Sequence, residues 1–99
     1  MSFRVQLTRG AREDIQRLTR HLAQPDVEAA RRSRVAIVRS LELLREMPFS
    51  CRKASADTPS LRELIIPFGS AGYVALFRIR RAGQVTVLAV RHQREEDYH

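Results

Sequence analysis

The stretch Leu61–Ile79, LRELIIPFGSAGYVALFRI, decides the fold of this chain. Apolar runs lie on both sides of Gly69–Gly72, and a third run follows the turn signal Arg81–Gly83. Links this short join antiparallel neighbours, because a parallel connection needs about a dozen residues or more. The pattern predicts a three-stranded antiparallel meander over residues 61–92, with strands at Leu61–Phe68, Gly72–Arg80 and Gln84–His92.

The register of this meander predicts one strongly apolar sheet face. With turns centred near residues 70–71 and 82, Phe68 lies opposite Tyr73 and Ile79 lies opposite Val85. We expect helices to cover this face, because it is large and apolar. Its members are Leu64, Ile66, Phe68, Tyr73, Ala75, Phe77, Ile79, Val85, Val87 and Ala89.

The opposite sheet face is predicted to be apolar in its middle and polar towards its ends. A two-layer domain has no third layer for it, so we expect an uncovered patch that binds a partner. The alternative is that these apolar residues are present because they suit central strands and do not mark a binding site. A one-residue slip in the register would exchange the two faces. The apolar members are Ile65, Pro67, Val74, Leu76, Leu88 and Val90, and the polar ones are Glu63, Arg78, Arg80, Thr86 and His92.

The residues before the meander predict a strand and a helical hairpin. Residues 1–8 alternate apolar and polar side chains, and residues 9–47 carry two apolar stripes at helical spacing. Thr8 and Asp26 are the candidate N-caps, and Pro48 ends the second helix. The stripes are Ala11, Ile15, Leu18 and Leu22, then Ala30, Ile37, Leu41 and Leu44.

Together these elements predict one α+β domain spanning residues 1–99. An N-terminal strand and an antiparallel meander form one sheet, and the helical hairpin packs on it as a second layer. Residues 48–60 contain prolines and serines without a period and are expected to be a loop. Residues 93–99 follow the last strand as a C-terminal tail.

Charge is the strongest signal in the composition. The formal net charge is +7 and the sequence pI is near 11.2. A basic domain favours polyanions or acidic partner segments, whereas arginines on solvated helix faces are the plainer explanation. No apolar run approaches the roughly 20 residues of a membrane span, and Met1–Gly10 has no signal-peptide pattern. We therefore expect a cytoplasmic protein that does not bind membranes.

Cysteine usage excludes two kinds of site. Cys51 is the single cysteine, so neither an intramolecular disulfide nor a thiolate metal cluster can form. No obvious base lies near it in the sequence, which disfavours a nucleophilic role. We expect neither a metal nor a cofactor.

Three segments carry a resemblance to a known family. Leu61–Ile79 follows a pattern of Arg-Glu-Leu, an apolar strand, Gly-Tyr, and an aliphatic strand ending in an aromatic-Arg pair. Val85–His99, VTVLAVRHQREEDYH, is similar to the closing strand, and Val27–Pro48 to the second helix with its LLREMP ending. In this order, the segments resemble the RelE/ParE superfamily of toxins over nearly the whole chain.

The resemblance implies a growth-inhibiting toxin of a type II, plasmid-stabilisation toxin–antitoxin module. A small antitoxin would hold it inactive in a hetero-oligomer, lying over the sheet and its grooves. The uncovered sheet face suits that contact, with acidic antitoxin side chains meeting arginines. The expected antitoxin-binding residues are Ile65, Val74, Leu76, Arg78, Leu88 and Val90.

Two targets compete within the superfamily. ParE-like members poison DNA gyrase and have no catalytic residues, whereas RelE-like members cut messenger RNA in the ribosome without a metal. In a RelE-like reading, His92 or Glu95 does acid–base work and Tyr98 positions a base. The phosphate would be held by Arg62, Arg78, Arg80 and Arg94.

Departures from the RelE-like pattern favour the ParE-like reading. The arginine that follows Gly-Tyr in the nucleases is Val74 here, and two lysines of their preceding strand fall at about Ile65 and Pro67. Each lost donor removes about 2–4 kcal/mol of transition-state stabilisation. Whether the chain is an enzyme therefore depends on its target, and a ParE-like chain would contact that target through Arg91, His92, Arg94 and Tyr98.

A third reading is a non-toxic module that binds DNA or RNA. Only the positive charge suggests it. No helix-turn-helix, zinc-finger or RNP signature is present, and the aromatic residues are too few for a stacking platform.

Overall fold

The computed structural model describes residues 2–95 and Tyr98. Within them, two helices pack on a five-stranded sheet of order β1-β5-β4-β3-β2. β1 runs parallel to β5, and every other neighbouring pair is antiparallel. The predicted α+β architecture is confirmed. The elements are β1 Arg4–Leu7, α1 Arg9–Ala23, α2 Val27–Glu42, β2 Arg52–Lys53, β3 Leu61–Phe68, β4 Ala71–Arg80 and β5 Gln84–His92.

Two short elements modify the predicted boundaries. One 3-10 turn, Leu43–Arg45, continues α2, and a second, Pro48–Ser50, follows it. The edge strand β2 lies inside the segment that was expected to be a loop, and Arg52 pairs there with Glu63 of β3. A strand of two residues leaves too little alternation in the sequence to be recognised.

Both helices begin at their predicted caps. The Thr8 hydroxyl accepts the amide of Ala11 at 3.1 Å, and the Asp26 carboxylate accepts the amide of Ala29 at 3.1 Å. Such caps satisfy amides that have no partner within the helix and stabilise a helix by about 1 kcal/mol. No helix in the described part of the chain is both long and apolar enough to cross a membrane.

The turn between β3 and β4 is one residue earlier than predicted. Phe68 pairs with Ala71 and Ile66 with Tyr73, so the predicted Phe68–Tyr73 pair is wrong. The pairing moved by two positions, which leaves every side chain of β3 and β4 on its predicted face. Gly72 has φ +126°, and a Cβ there would run into the carbonyl oxygen of Ile66, so this position requires glycine.

A β-bulge in β5 changes the faces of its last residues. Ile79 pairs with Val85 as predicted and Phe77 with Val87, but Leu76 pairs with Ala89, which leaves Leu88 as the extra residue. A bulge of one residue reverses the alternation beyond it. The face assignments of Ala89, Val90 and His92 were therefore wrong.

The helices cover one face of the sheet, called the inner face below. The helical stripes are confirmed except at Leu22, which is half-buried. Ten of the buried core residues are Ala11, Ile15, Leu18, Ile37, Leu41, Leu44, Ile66, Phe77, Val87 and Val90. Val90 and His92 belong to this face beyond the bulge, because they pair with Ala75 and Tyr73. The opposite side, called the outer face, carries Glu63, Ile65, Val74, Leu76 and Arg91.

Side chains of the first helix replace a missing strand partner. β1 ends at Leu7, opposite Val87, so the β5 edge beyond that point has no neighbouring strand. The Thr8 hydroxyl donates to the Leu88 carbonyl at 3.1 Å, and the Asp14 carboxylate accepts the Val90 amide at 2.9 Å. Asp14 is itself buried, so this contact fixes α1 on the bulged end of β5.

Candidate functional site

Tyr98 of the C-terminal tail lies on the outer face. The Tyr98 hydroxyl donates a hydrogen bond of 2.6 Å to Oε2 of Glu63. Oε1 of the same carboxylate pairs with the Arg52 guanidinium at 2.9 Å. The Arg91 guanidinium lies over the Tyr98 ring, 5.1 Å from its centre. These contacts, called the tail latch below, hold Tyr98 against the sheet.

The tail latch covers the centre of the outer face. Glu63 lies on β3 and Arg91 on β5, so a ring that contacts both must cross the strand between them, β4. Val74 lies on that part of β4 and is only 2% exposed. The expectation of an uncovered face was therefore wrong at its centre. A contact between residues so distant in sequence leaves no mark in the periodicity of either segment.

The six candidate antitoxin-binding residues have unequal access. Ile65 is 41% exposed, whereas Val74 lies under the latch and Val90 is in the core. The other three, Leu76, Arg78 and Leu88, are half-buried.

Arg91 organises the tail. Its Nη1 donates to the carbonyls of His92, Gln93 and Glu95 at 3.2, 3.3 and 2.7 Å. Arg17 of α1 holds the same segment from the other side, because its Nη1 pairs with Oε1 of Glu95 at 3.0 Å. By donating to several carbonyls, the Arg91 guanidinium fixes the backbone of residues 92–95.

Tyr98 is held in its protonated form. Burial, followed by the hydrogen bond and charge of Glu63, raises the pKa of the Tyr98 phenol well above its usual value, and Arg91 opposes the rise. The phenol is therefore a hydrogen-bond donor at neutral pH.

The candidate nuclease residues divide between the two faces of the sheet. Arg62 donates to the carbonyls of Phe49, Cys51 and Pro59 and so holds the loop before β3. Nε of Arg80 donates to the Thr86 hydroxyl at 3.0 Å. Arg78, Arg80 and Tyr98 belong to the outer face, while His92 belongs to the inner face.

The row around Val74 has one cation, and that cation is engaged. Val74 lies between Ile65 of β3 and Arg91 of β5. Arg91 supplies the only positive charge in this row of three, and its Nη1 donates to tail carbonyls. The residues described thus place no group of free cations around Val74.

His92, Arg94 and Glu95 share a different location. They line a pocket with Arg17 of α1 and with the β3–β4 turn, called the turn pocket below. The His92 Nδ1 accepts the Arg94 amide at 3.1 Å. Two of the expected target-contacting residues, His92 and Arg94, are therefore together here, and the other two, Arg91 and Tyr98, form the latch. The remaining tail positions 96, 97 and 99 lie outside the described residues.

A second groove, called the arginine groove below, was not anticipated from the sequence. It lies between the edge strand β1 and the two helices and has a volume of about 560 Å³. Val38, which follows the buried Ile37 in α2, is 49% exposed in its wall. Among the described residues, the groove is lined by four arginines and one acidic residue, Glu42. The full lining is Arg4, Val5, Leu7, Arg12, Ile15, Gln16, Arg34, Val38, Leu41, Glu42 and Arg45.

Other chemistry-bearing residues give little support for a reaction centre. Burial raises the pKa of the Cys51 thiol, and Arg62 lowers it by a smaller amount. A thiol shifted in that direction is a poor nucleophile at neutral pH. Over residues 2–95 and Tyr98, no three His, Cys, Asp or Glu side chains are placed to hold a metal ion.

Comparison with known proteins gives consistent relatives. The family model described as the ParE toxin of type II toxin-antitoxin system, parDE, matches residues 5–97. Toxin RelE1 of Caulobacter vibrioides is 34% identical over 79 residues, which cover 80% of this chain and 82% of that protein. The solved structure described as the chromosomal ParDE TA system from P. aeruginosa matches with a TM-score of 0.74 and 18% identity, covering 92% of this chain and 96% of the other.

Proposed function

Because the chain belongs to the ParE toxin family of type II toxin–antitoxin systems, we propose that it inhibits growth by poisoning DNA gyrase and that a cognate antitoxin neutralises it. ParE-like toxins act by binding and need no catalytic group of their own. The observation that carries this choice is the row Ile65–Val74–Arg91. Two of its three side chains are apolar, and the third is engaged by the tail, so a scissile phosphate would find little electrostatic stabilisation there.

His92 and Arg94 are proposed to contact the target directly. Arg94 is exposed and His92 is half-buried at the same end of the sheet, so both are accessible to a macromolecule. Arg91 and Tyr98 act on the target indirectly in this proposal, because their contacts position the tail.

The arginine groove is proposed as the first docking surface for the antitoxin. Its floor is apolar and four arginines line it, so it suits an amphipathic segment with acidic residues along one side. Val38 offers an exposed apolar contact at its wall. On the outer face, Ile65 is exposed and offers a second contact, whereas the centre of that face becomes available only if the antitoxin displaces Tyr98.

The proposed target is tested by inducing the chain in cells without the antitoxin. Gyrase-linked double-strand breaks and messenger RNA ends are followed in the same cultures. We expect breaks to accumulate while transcripts stay intact, and Arg94→Ala to reduce the breaks. Arg80→Ala is the matched control, because Arg80 is equally exposed but belongs to the outer face.

The second candidate is a RelE-like, ribosome-dependent cut in messenger RNA. The 34% identity to Toxin RelE1 favours keeping it. Cuts at fixed codon positions with unbroken DNA would establish this activity and exclude gyrase poisoning as the cause of growth arrest.

A further inference from the structure

The turn pocket has the size and lining of a ligand site. It lies where the β3–β4 turn and the end of β5 meet α1, and its volume is about 780 Å³. Pockets that bind small organic ligands commonly enclose about 300–1,000 Å³. Leu18 and Leu22 of α1 and Phe68 of β3 form its apolar part.

Tyr73 places an unpartnered polar group in this pocket. The residue is 2% exposed, and its ring stacks on Phe68 at 6.1 Å and meets His92 edge-on at 5.8 Å. Its hydroxyl has no hydrogen-bond partner among the described residues, and this oxygen is not fully enclosed by the protein. Tyr73 is one of the residues that line the turn pocket. A nearly buried phenol normally finds a partner, so a hydroxyl left open to a pocket points to a ligand.

His92 adds a second donor. Its Nδ1 accepts the Arg94 amide at 3.1 Å, so the neutral imidazole carries its proton on Nε2. The imidazole therefore offers a hydrogen to the pocket that Tyr73 and His92 both line.

Charge around the pocket favours an anion. His21 and Arg94 are exposed at its rim. Among the described residues, Glu95 is the only carboxylate in the lining, and its Oε1 is paired with Arg17 at 3.0 Å. The lining thus offers mainly donors and positive charge, which is the environment in which a phosphate group is stabilised.

We propose that the turn pocket binds a nucleoside monophosphate. The phosphate accepts hydrogen bonds from Tyr73 and His92 and is attracted by Arg94, while the base lies against the apolar part beside Phe68. A phosphate ion alone would leave most of the roughly 780 Å³ empty, whereas a nucleoside fills the apolar remainder. Aromatic faces next to basic side chains are the usual platform for a base.

The pocket site goes beyond the proposed function and does not depend on it, because it requires neither gyrase nor an antitoxin. The two proposals are also tested separately. Nucleotide binding is measured on the purified chain alone, and gyrase-linked breaks are measured in cells.

The test is a titration of the purified chain followed by calorimetry and by the amide and imidazole NMR signals of the turn pocket. The ligands are the common nucleoside monophosphates, the matching nucleosides, inorganic phosphate, and a short DNA strand with and without a 5′-phosphate. The key variant is Tyr73→Phe, which removes only a hydroxyl that has no partner among the described residues. Ser50→Ala is the control, since it removes an exposed hydroxyl that lies outside the turn pocket.

We expect saturable binding of monophosphates, with nucleosides and inorganic phosphate each binding more weakly. Tyr73→Phe should weaken the dissociation constant about tenfold, because it removes one hydrogen bond to a charged group. Ser50→Ala should bind as the native chain does. Tighter binding of the strand that carries a 5′-phosphate would support the same chemistry and identify a nucleic-acid end as its source.

Three results would overturn the proposal. They are the lack of saturable monophosphate binding, equal affinity of Tyr73→Phe and the native chain, and strand binding that is independent of the 5′-phosphate. The last would show that the net positive charge alone attracts nucleic acid.

Discussion

The Tyr98 hydroxyl is 2.6 Å from Oε2 of Glu63, a residue that lies 35 positions earlier in the chain. This hydrogen bond joins the C-terminal tail to the outer face of β3. It also decides whether the apolar centre of that face is available to another protein.

Loss of this hydrogen bond should release the tail. We expect Tyr98→Phe to lower the free energy of unfolding by about 1 kcal/mol and to increase cleavage of the tail in limited proteolysis. Tyr73→Phe is the matched control, because the Tyr73 hydroxyl bonds to none of the described residues. Equal proteolysis of Tyr98→Phe and the native chain would show that the ring contact with Arg91 suffices to hold the tail.

Stability at alkaline pH should depend on Tyr98. The pKa of this phenol is raised in the folded chain above its ordinary value of 10.0, so the folded state keeps its proton where the unfolded state has lost it. The resulting stabilisation is fully present below pH 10 and is lost as pH rises from there towards the folded pKa. Urea unfolding at about pH 8 to 11 should show a steeper loss for the native chain than for Tyr98→Phe. Parallel curves for the two proteins would contradict the raised pKa.

The arginine groove can be tested on one helix. Val38→Asp should weaken antitoxin binding about tenfold or more, since it places a carboxylate where an apolar and acidic segment is proposed to lie. Val35→Asp is the matched control, because Val35 is 44% exposed on the same helix but does not line the groove. Both affinities can be measured by calorimetry with the cognate antitoxin. Similar losses in the two variants would place the antitoxin elsewhere.

Asp14 should be needed for the attachment of α1 to β5. Asp14→Ala leaves the buried Val90 amide without its acceptor, and we expect a loss of about 1–3 kcal/mol in the free energy of unfolding. Asp14→Asn keeps an acceptor oxygen and should lose less. Denaturant unfolding and hydrogen exchange at Val90 measure the effect, with the exposed neighbour Glu13→Ala as control. Unchanged exchange at Val90 in Asp14→Ala would rule out this role.

Most of the secondary structure could be predicted because its signals are local. The alternation in Leu61–Phe68 and the apolar stripe through Ala11, Ile15 and Leu18 are complete within each element. The caps at Thr8 and Asp26 depend only on the following turn of helix. Such features need no knowledge of the tertiary structure.

The features that position the candidate sites could not be predicted, because each depends on distant residues. The bulge at Leu88 is visible only in the pairing with β4, and no glycine or proline marks it. The latch joins Tyr98 to Glu63 across the sheet, and the arginine groove combines β1 with both helices. Simple alternation placed His92 and Arg78 on one face, and the bulge separates them.

The bulge at Leu88 also makes the pairing of β5 a determinant of what each side of the sheet presents. If β5 kept Leu88 but paired with β4 without a bulge, simple alternation would exchange the directions of every later side chain in the strand. The Arg91 guanidinium would then lie on the inner face, and the His92 imidazole would lie on the outer face. A relative of equal length that pairs this strand without the bulge would therefore share the fold while presenting a different surface to its target.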